Sequence, residues 1–212
     1  QSNKNLNITL KEGNSMKWVH PTDLINLEKT PFLENNISNI ISFFSKDKKK
    51  LALSLEKKII SSFDLIKKNE RVFYIKNNLS LLKKYQVMAL KELAILKLIP
   101  LMRVCLHNSD ELPIHEMIMI HSRPQKVGPL KQERNNSLSY HIIYGSGEIL
   151  LYSEKGDVEK TIIIDSNHNG FKFCRLNANQ FRSIESKSDY MIFLEVCSGP
   201  FKDEDTIWMK DI

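Results

Sequence analysis

Two hydrophobic periodicities divide the chain near Pro100. Before it, Ala52, Leu55, Ile59, Phe63 and Ile66 recur at spacings of three and four, and so do Leu79, Leu82, Tyr85, Ala89, Leu93 and Leu96. Such spacing puts each set on one face of a helix, and Pro100 stops the second run. Between them, Val72-Phe73-Tyr74-Ile75 reads as a short extended piece. Upstream, His20-Pro21-Thr22-Asp23 predicts a turn into a short helix. Thr30-Pro31 predicts another start, with Thr30 as N-cap and Pro31 at the first helical position. No glycine occurs between Gly13 and Gly128, which suits helices. Residues 1–15 are polar, rich in Asn and Lys, and are expected to lie outside the folded part.

After Pro100, short apolar or alternating runs recur at intervals of roughly 8–12 residues, the spacing of an all-β sandwich or barrel. They are Met102–His107, Ile114–His121, Leu138–Tyr144, Glu148–Ser153, Val158–Ile164, Phe171–Leu176, Gln180–Ile184 and Tyr190–Val196. Gly145-Ser146-Gly147 and Glu154-Lys155-Gly156-Asp157 read as hairpin turns between them. Eight strands joined by tight turns predict a jelly roll. The expected class is therefore α+β, with a helical N-terminal segment over 16–100 followed by an all-β barrel over 101–212. Apolar helix faces must pack on each other or on that barrel.

Composition narrows the choice of function. At 42% hydrophobic and 26% charged residues the chain is neither disordered nor fibrous. No apolar run reaches the roughly 20 residues of a membrane span, and Gln1 to Leu10 lack the apolar core of a secretory signal. Cys105, Cys174 and Cys197 are too few and too scattered for a disulfide framework. The expected location is the cytoplasm. Residues 1–100 hold 18 Lys/Arg against 9 Asp/Glu, whereas 101–212 hold 13 against 16, so the net charge of +6 comes from the first half. That excess is mostly Lys, and Lys48, Lys49 and Lys50 lack interleaved Arg and aromatics. It predicts solvated helix faces and no nucleic-acid partner. There is no Gly-rich phosphate loop, G-x-S-x-G elbow, C-x-x-C pair or H-E-x-x-H helix.

A longer constellation is more informative. Arg103-Val-Cys-Leu-His107 is followed by His115-Glu-Met-Ile-Met-Ile120, Pro129, Ser139-Tyr-His-Ile-Ile-Tyr-Gly145 and the turn at Gly156. Then come Phe193-Leu-Glu-Val-Cys-Ser-Gly-Pro-Phe201, Asp205 and Trp208. In these pieces the stretch from Arg103 to Trp208 resembles the WbuC-type cupins, small β-barrel proteins often encoded among genes for bacterial surface polysaccharides. The resemblance implies a cupin (jelly-roll) barrel that pairs into a homodimer. It also implies a role in or beside O-antigen or capsule biosynthesis, with a sugar or sugar-nucleotide ligand.

Cupins usually hold a divalent metal on an H-x-H pair, a Glu and a third His. Here the corresponding segment, Gly128 to Leu138, contains no His. The paired positions fall at Leu130 and Gln132, the Glu position at Leu138, and the last ligand at Arg182. Leu cannot coordinate, Gln is a weak ligand and a guanidinium repels a cation. The expectation is no metal in that site, no cofactor, and no activity that needs Lewis-acid activation. A displaced site drawn from His121, His141, His168, Glu133 and Cys174 stays open. Parity turns His141 outward if Leu138, Tyr140 and Ile142 point in, and His168 sits in the Asn167–Gly170 turn.

By the same parity Gln132, Tyr140 and Arg182 converge where the metal would sit, a grouping suited to an anionic or sugar-like ligand. The candidate substrate-binding residues are Gln132, Tyr140, Arg182, Arg103, His107 and Glu195. The bland alternative pairs Arg182 with a buried Glu195, leaves Leu130 and Leu138 as core, and makes Arg103 and His107 anchors of the first barrel strand. Cys105 lies between those two and is expected to be packed. Three functions remain: a metal-free sugar-binding cupin, a metal-independent sugar isomerase or epimerase, and a non-catalytic interaction module. The second needs a general base, with His107 or Tyr140 as first suspects, and an inward-facing His beside Tyr140 would favour it. Whether the protein is an enzyme stays open.

Overall fold

A computed structural model describes residues 48–77, 81–133, 137–167, 170–200 and 202–209. The helix starts expected at 20–31, with Leu79 and His168, lie outside the described residues. Helix α1 (Lys48–Ser62) and helix α2 (Lys84–Leu96) carry the two predicted stripes. α1 ends where Asp64 takes a φ of 52°, a left-handed conformation that breaks the helical path. The chain then enters β1 (Leu65–Lys67), so Ile66 continues no helix face and is 52% exposed. After β2 (Val72–Ile75), α2 opens with the Gln86 side chain accepting from the Lys83 backbone N–H at 2.7 Å.

Ten strands follow: β3 (Leu101–Cys105), β4 (Ile114–His121), β5 (Gln125–Gln132), β6 (Leu138–Tyr144), β7 (Ser146–Tyr152), β8 (Val158–Asp165), β9 (Phe173–Leu176), β10 (Phe181–Ser186), β11 (Met191–Ser198) and β12 (Thr206–Trp208). They form two facing sheets, ordered β1-β2-β3-β4-β11-β6-β9 and β12-β5-β10-β7-β8. β2 pairs with β3 in parallel, so strands from before Pro100 extend the same sheet as those after it.

Alternation along the larger sheet builds two cores. Met102, Val104, Ile118, Ile120 and Ile192 face outward and pack with Leu55, Ile59, Leu90 and Leu93 of the helices. The intervening Cys105, Met117, Met119, Phe193 and Cys197 face the smaller sheet and meet Leu138, Tyr140, Ile149 and Ile184. A strand segment covered on both faces needs apolar residues at every position, which is why Met117–Ile120 of β4 is an unbroken apolar run. The helices thus cover one face of the sheet.

Two turns behave differently from one another. Residues 153–157 close a true hairpin between β7 and β8. Gly145, read as a hairpin turn, instead carries the chain from the larger sheet into the smaller one, because β6 and β7 belong to different sheets. Its φ of 82° makes that corner, and a β-carbon there would strike the Tyr190 carbonyl and the Ser188 hydroxyl. β5 and β12 were not anticipated. β5 contains Gly128-Pro129 and polar Lys126, Lys131 and Gln132, and it falls outside the eight runs of apolar or alternating residues. Pairing to β10 on one side and β12 on the other makes it a strand.

Helix burial sets a stability test. Leu55→Ala removes a fully enclosed side chain and is expected to lower the unfolding free energy by about 2–5 kcal/mol. Leu53→Ala, at a position 49% exposed, should change it by less than about 0.5 kcal/mol. Urea unfolding of both variants checks this; equal losses would contradict the packing described.

Candidate functional site

The inward-facing residues of the larger sheet line a channel that runs along the strands. Leu101, Arg103 and Cys105 follow one another on β3, His121, Met119 and Met117 on the antiparallel β4, and Phe193, Glu195 and Cys197 on β11. The channel is divided into two chambers, of about 360 Å³ and about 250 Å³. The larger is rimmed by residues outside strands, including Lys68, Asn69, Asp110 and Asp203, and is called here the loop chamber. The smaller, the strand chamber, is lined entirely from strands. Arg103, Gln132 and Glu195 line both and form the waist between them.

Arg182 dominates the strand chamber. Its side chain comes from β10 opposite Leu130 of β5, and the residue is 3% exposed. Its Nε donates to the Tyr140 hydroxyl at 3.3 Å, and Nη1 donates to the carbonyls of Ala178 at 3.1 Å and Leu130 at 3.4 Å. The pairing with Glu195 considered from sequence is not made: Arg182 directs these bonds at neutral oxygens. Glu195 instead feels both guanidiniums at longer range. Burial raises its pKa, while the charges of Arg182 and Arg103 pull the other way. Burial also raises the Tyr140 pKa far above the ordinary phenol value, helped by the Glu195 charge, so Tyr140 stays a phenol.

His121 faces the same chamber. Its Nδ1 lies 3.2 Å from Ser186 Oγ, and burial pushes its pKa down to about 4. Phe193 separates it from Tyr140; both rings meet Phe193 edge-on, at 5.3 Å and 5.6 Å between centroids.

The loop chamber is built differently. The Tyr74 hydroxyl donates to Asp110, and Lys68 Nζ reaches the same carboxylate at 2.8 Å. Burial opposes the ionisation of Asp110, but these two hydrogen bonds outweigh it and lower the pKa. His107 and His115 stack at 4.1 Å with an 11° interplanar angle. Burial, then the neighbouring His115, lowers the His107 pKa. Burial pushes the Cys105 and Cys197 thiols up, to about 11 and about 12, so both stay protonated and unreactive at neutral pH. Arg103 at the waist is half-buried, and its Nη1 lies 3.9 Å from Met117 Sδ, a weak acceptor.

All six sequence candidates line this channel, but not one chamber. Gln132, Arg103 and Glu195 sit at the waist, Tyr140 and Arg182 in the strand chamber, and His107 in the loop chamber. Sequence reasoning did not find Lys68, Tyr74, Asp110 or His115. Lys68 and Tyr74 come from a stretch read as mainly helical, and Asp110 from a connection. His115 was findable, since it shares the inward parity of Met117 on β4.

The positions that the sequence resemblance matched to metal ligands carry side chains that do not fit a cation. Leu138 is packed core, Leu130 lines the wall, and the Arg182 guanidinium projects into the space. Nor do the alternatives assemble. His141 is half-buried against Phe173 at 5.2 Å, Cys174 is half-buried on β9, Glu133 is exposed and His168 lies outside the described residues. Among the described residues no group of three or more His, Cys, Asp and Glu is placed to hold a metal ion.

No protein-family model matches the chain, and no curated protein matches it. Solved structures do resemble it, at low identity. CapF, a capsular polysaccharide assembling protein from Staphylococcus aureus, shares 11% identity with a TM-score of 0.43, over 52% of this chain and 32% of that one. The chain thus spans about a third of the length of CapF. A cupin superfamily protein from Desulfitobacterium hafniense shares 14% identity with a TM-score of 0.37, over 46% of this chain and 76% of that one. KdgF from Halomonas sp. shares 11% with a TM-score of 0.38, over 50% and 83%. Among the described residues the fold is a sandwich of two β-sheets with two helices packed on the larger one. Among the described residues no helix is long and apolar enough to cross a membrane.

The buried imidazole of His121 gives this site a pH signature. Its folded pKa of about 4 lies below the ordinary 6.5, so the unfolded chain takes up the proton first as pH falls. Stability is then full above 6.5 and lost progressively down to about 4, by roughly 3 kcal/mol across the window. His107, also lowered, adds in the same direction. Denaturant unfolding at stepped pH should show a shallower acid loss in His121→Gln than in the parent; parallel curves would contradict the assignment.

Proposed function

We propose that this chain is a WbuC-like cupin that binds a sugar or sugar nucleotide in the channel without the usual metal. It acts in or beside bacterial surface-polysaccharide biosynthesis, as a cytoplasmic homodimer. The observation that carries the reading is the pair of guanidiniums inside the barrel, with Glu195 the one carboxylate at the waist. Arg182 is engaged by neutral oxygens, whereas among the described residues the Arg103 guanidinium has only a thioether within hydrogen-bonding reach. A half-buried guanidinium in that state offers bidentate bonds to a phosphate or carboxylate. The apolar parts of the walls suit the C–H faces of a sugar ring.

One observation favours the isomerase or epimerase reading as a second possibility. Tyr140 as a phenol is a proton donor rather than a base, and His107 lies in the other chamber. An inward-facing imidazole, His121, does share the strand chamber with Tyr140. Exchange of a sugar C–H for deuterium in heavy water, catalysed by the protein and lost in His121→Gln, separates this reading from simple binding.

The binding reading is tested by thermal shift and calorimetry with glucose 1-phosphate, UDP-glucose, UDP-N-acetylglucosamine and dTDP-glucose. At least one is expected to raise the melting temperature, with a stabilisation of about 2.7 kcal/mol at a hundredfold excess over Kd. Arg103→Gln should weaken it by roughly 10- to 100-fold. A set that leaves the protein unshifted, or an Arg103→Gln variant that binds equally well, would overturn the proposal.

A further inference from the structure

Among the described residues, Trp208 is the one aromatic side chain that lines the channel and is also exposed, at 56%. Its direction follows from strand pairing. β12 runs antiparallel to β5, with Thr206 opposite Gln132 and Trp208 opposite Leu130, and residues opposite each other share a face of the sheet. Gln132 and Leu130 line the strand chamber, and so do Thr206 and Trp208. The indole therefore stands on the inner face of an edge strand. The other strongly exposed rings, Phe171 and Phe173, lie at the β9 edge of the larger sheet and line neither chamber.

Exposure marks the mouth of the strand chamber. Leu101, Arg103, Val127, Leu130 and Thr206 are half-buried and Trp208 is exposed, whereas Phe193 and His121 are fully enclosed. A molecule entering from solvent meets the indole and the Arg103 guanidinium first. β12 belongs to the smaller sheet and β3, which carries Arg103, to the larger one. Facing sheets stack about 10 Å apart, so a flat aromatic platform and a cation stand on opposite sides of one opening. Charge picks out the same opening. The loop chamber sets Asp110, Asp203 and Glu195 against Lys68 and Arg103, while the strand chamber sets Glu195 alone against Arg103 and Arg182.

That pairing separates two classes of ligand. A glycosyl phosphate can satisfy Arg103, but it brings no planar ring to the indole. A nucleoside diphosphate sugar brings both a pyrophosphate for the guanidinium and a base, and any base can stack its π-face on an aromatic side chain. We propose that the ligand is a nucleoside diphosphate sugar held at this mouth, with its base stacked on Trp208 and its pyrophosphate at Arg103. This rests on the reading of the channel as a sugar-phosphate site and goes beyond it by naming the ligand class and the side chain that selects the nucleotide.

The test is calorimetry on the full chain, Trp208→Ala, Trp208→Phe and Arg103→Gln, with UDP-glucose, UDP-N-acetylglucosamine, dTDP-glucose, UDP and glucose 1-phosphate. It is paired with fluorescence of a Trp18→Phe variant, in which Trp208 is the sole remaining tryptophan. At least one nucleotide sugar is expected to bind more tightly than glucose 1-phosphate, by the roughly 5- to 150-fold that base stacking on an aromatic side chain provides. Trp208→Ala should erase that margin and leave glucose 1-phosphate unchanged, while Trp208→Phe keeps most of it. Arg103→Gln should weaken both ligands, and saturation with the nucleotide sugar should quench Trp208. A nucleotide sugar that binds no better than glucose 1-phosphate, or whose margin survives Trp208→Ala, overturns this inference and leaves the sugar-phosphate reading standing. Fluorescence that does not change at saturation does the same. UDP that binds through Trp208 as tightly as UDP-glucose overturns the sugar and keeps the platform. No binding by any of these compounds overturns the sugar-phosphate reading and this inference with it.

Discussion

A buried guanidinium is expensive: taking an ion out of water costs several kcal/mol unless hydrogen bonds and opposite charge replace its hydration. In this barrel three oxygens and a nearby carboxylate do so for Arg182. The requirement reaches outward. It engages the Tyr140 hydroxyl and the Leu130 and Ala178 carbonyls, and it leaves Glu195 under the charge of both Arg182 and Arg103. A divalent cation in the same space would meet a fixed positive charge rather than lone pairs. The interior therefore presents positive charge to whatever enters it.

The alternation of side chains along a strand converts that interior into a channel. Met102, Val104, Ile118, Ile120 and Ile192 of β3, β4 and β11 are spent on the helices, and the residues between them face the opposite sheet. A slip of one residue on β4 would bury Glu116 and expel Met117 and His121. The helices α1 and α2 hold this register by covering the outer face. They support the site from behind without touching a ligand.

Much of this was legible in the sequence, for identifiable reasons. Regular two-residue alternation placed Tyr140 inward and His141 outward. Apolar stripes at helical spacing located α1 and α2. What escaped lacked a local signal. β5 lacks the apolar alternation of the other strands because Gly128, Pro129 and lysines punctuate it, and its strand character comes from neighbours far away in sequence. Gly145 announced a turn but not that the turn changes sheets. Charge alone offers Glu195 as one of two readings for Arg182, whereas its position opposite Leu130 brings carbonyls and a phenol within reach. Lys68, Tyr74 and Asp110 meet only because β2 joins the sheet beside β3, a parallel pairing that no short-range pattern encodes.

The claim on which the rest turns is that Arg182 has taken the place of an ion in this barrel. Elemental analysis of the full-length purified protein, before and after dialysis against a chelator, tests it most directly. The account predicts no stoichiometric manganese, iron, nickel or zinc in either sample, and an unchanged melting temperature between them. One tightly held transition metal per chain, with a melting temperature that falls when it is removed, would contradict it.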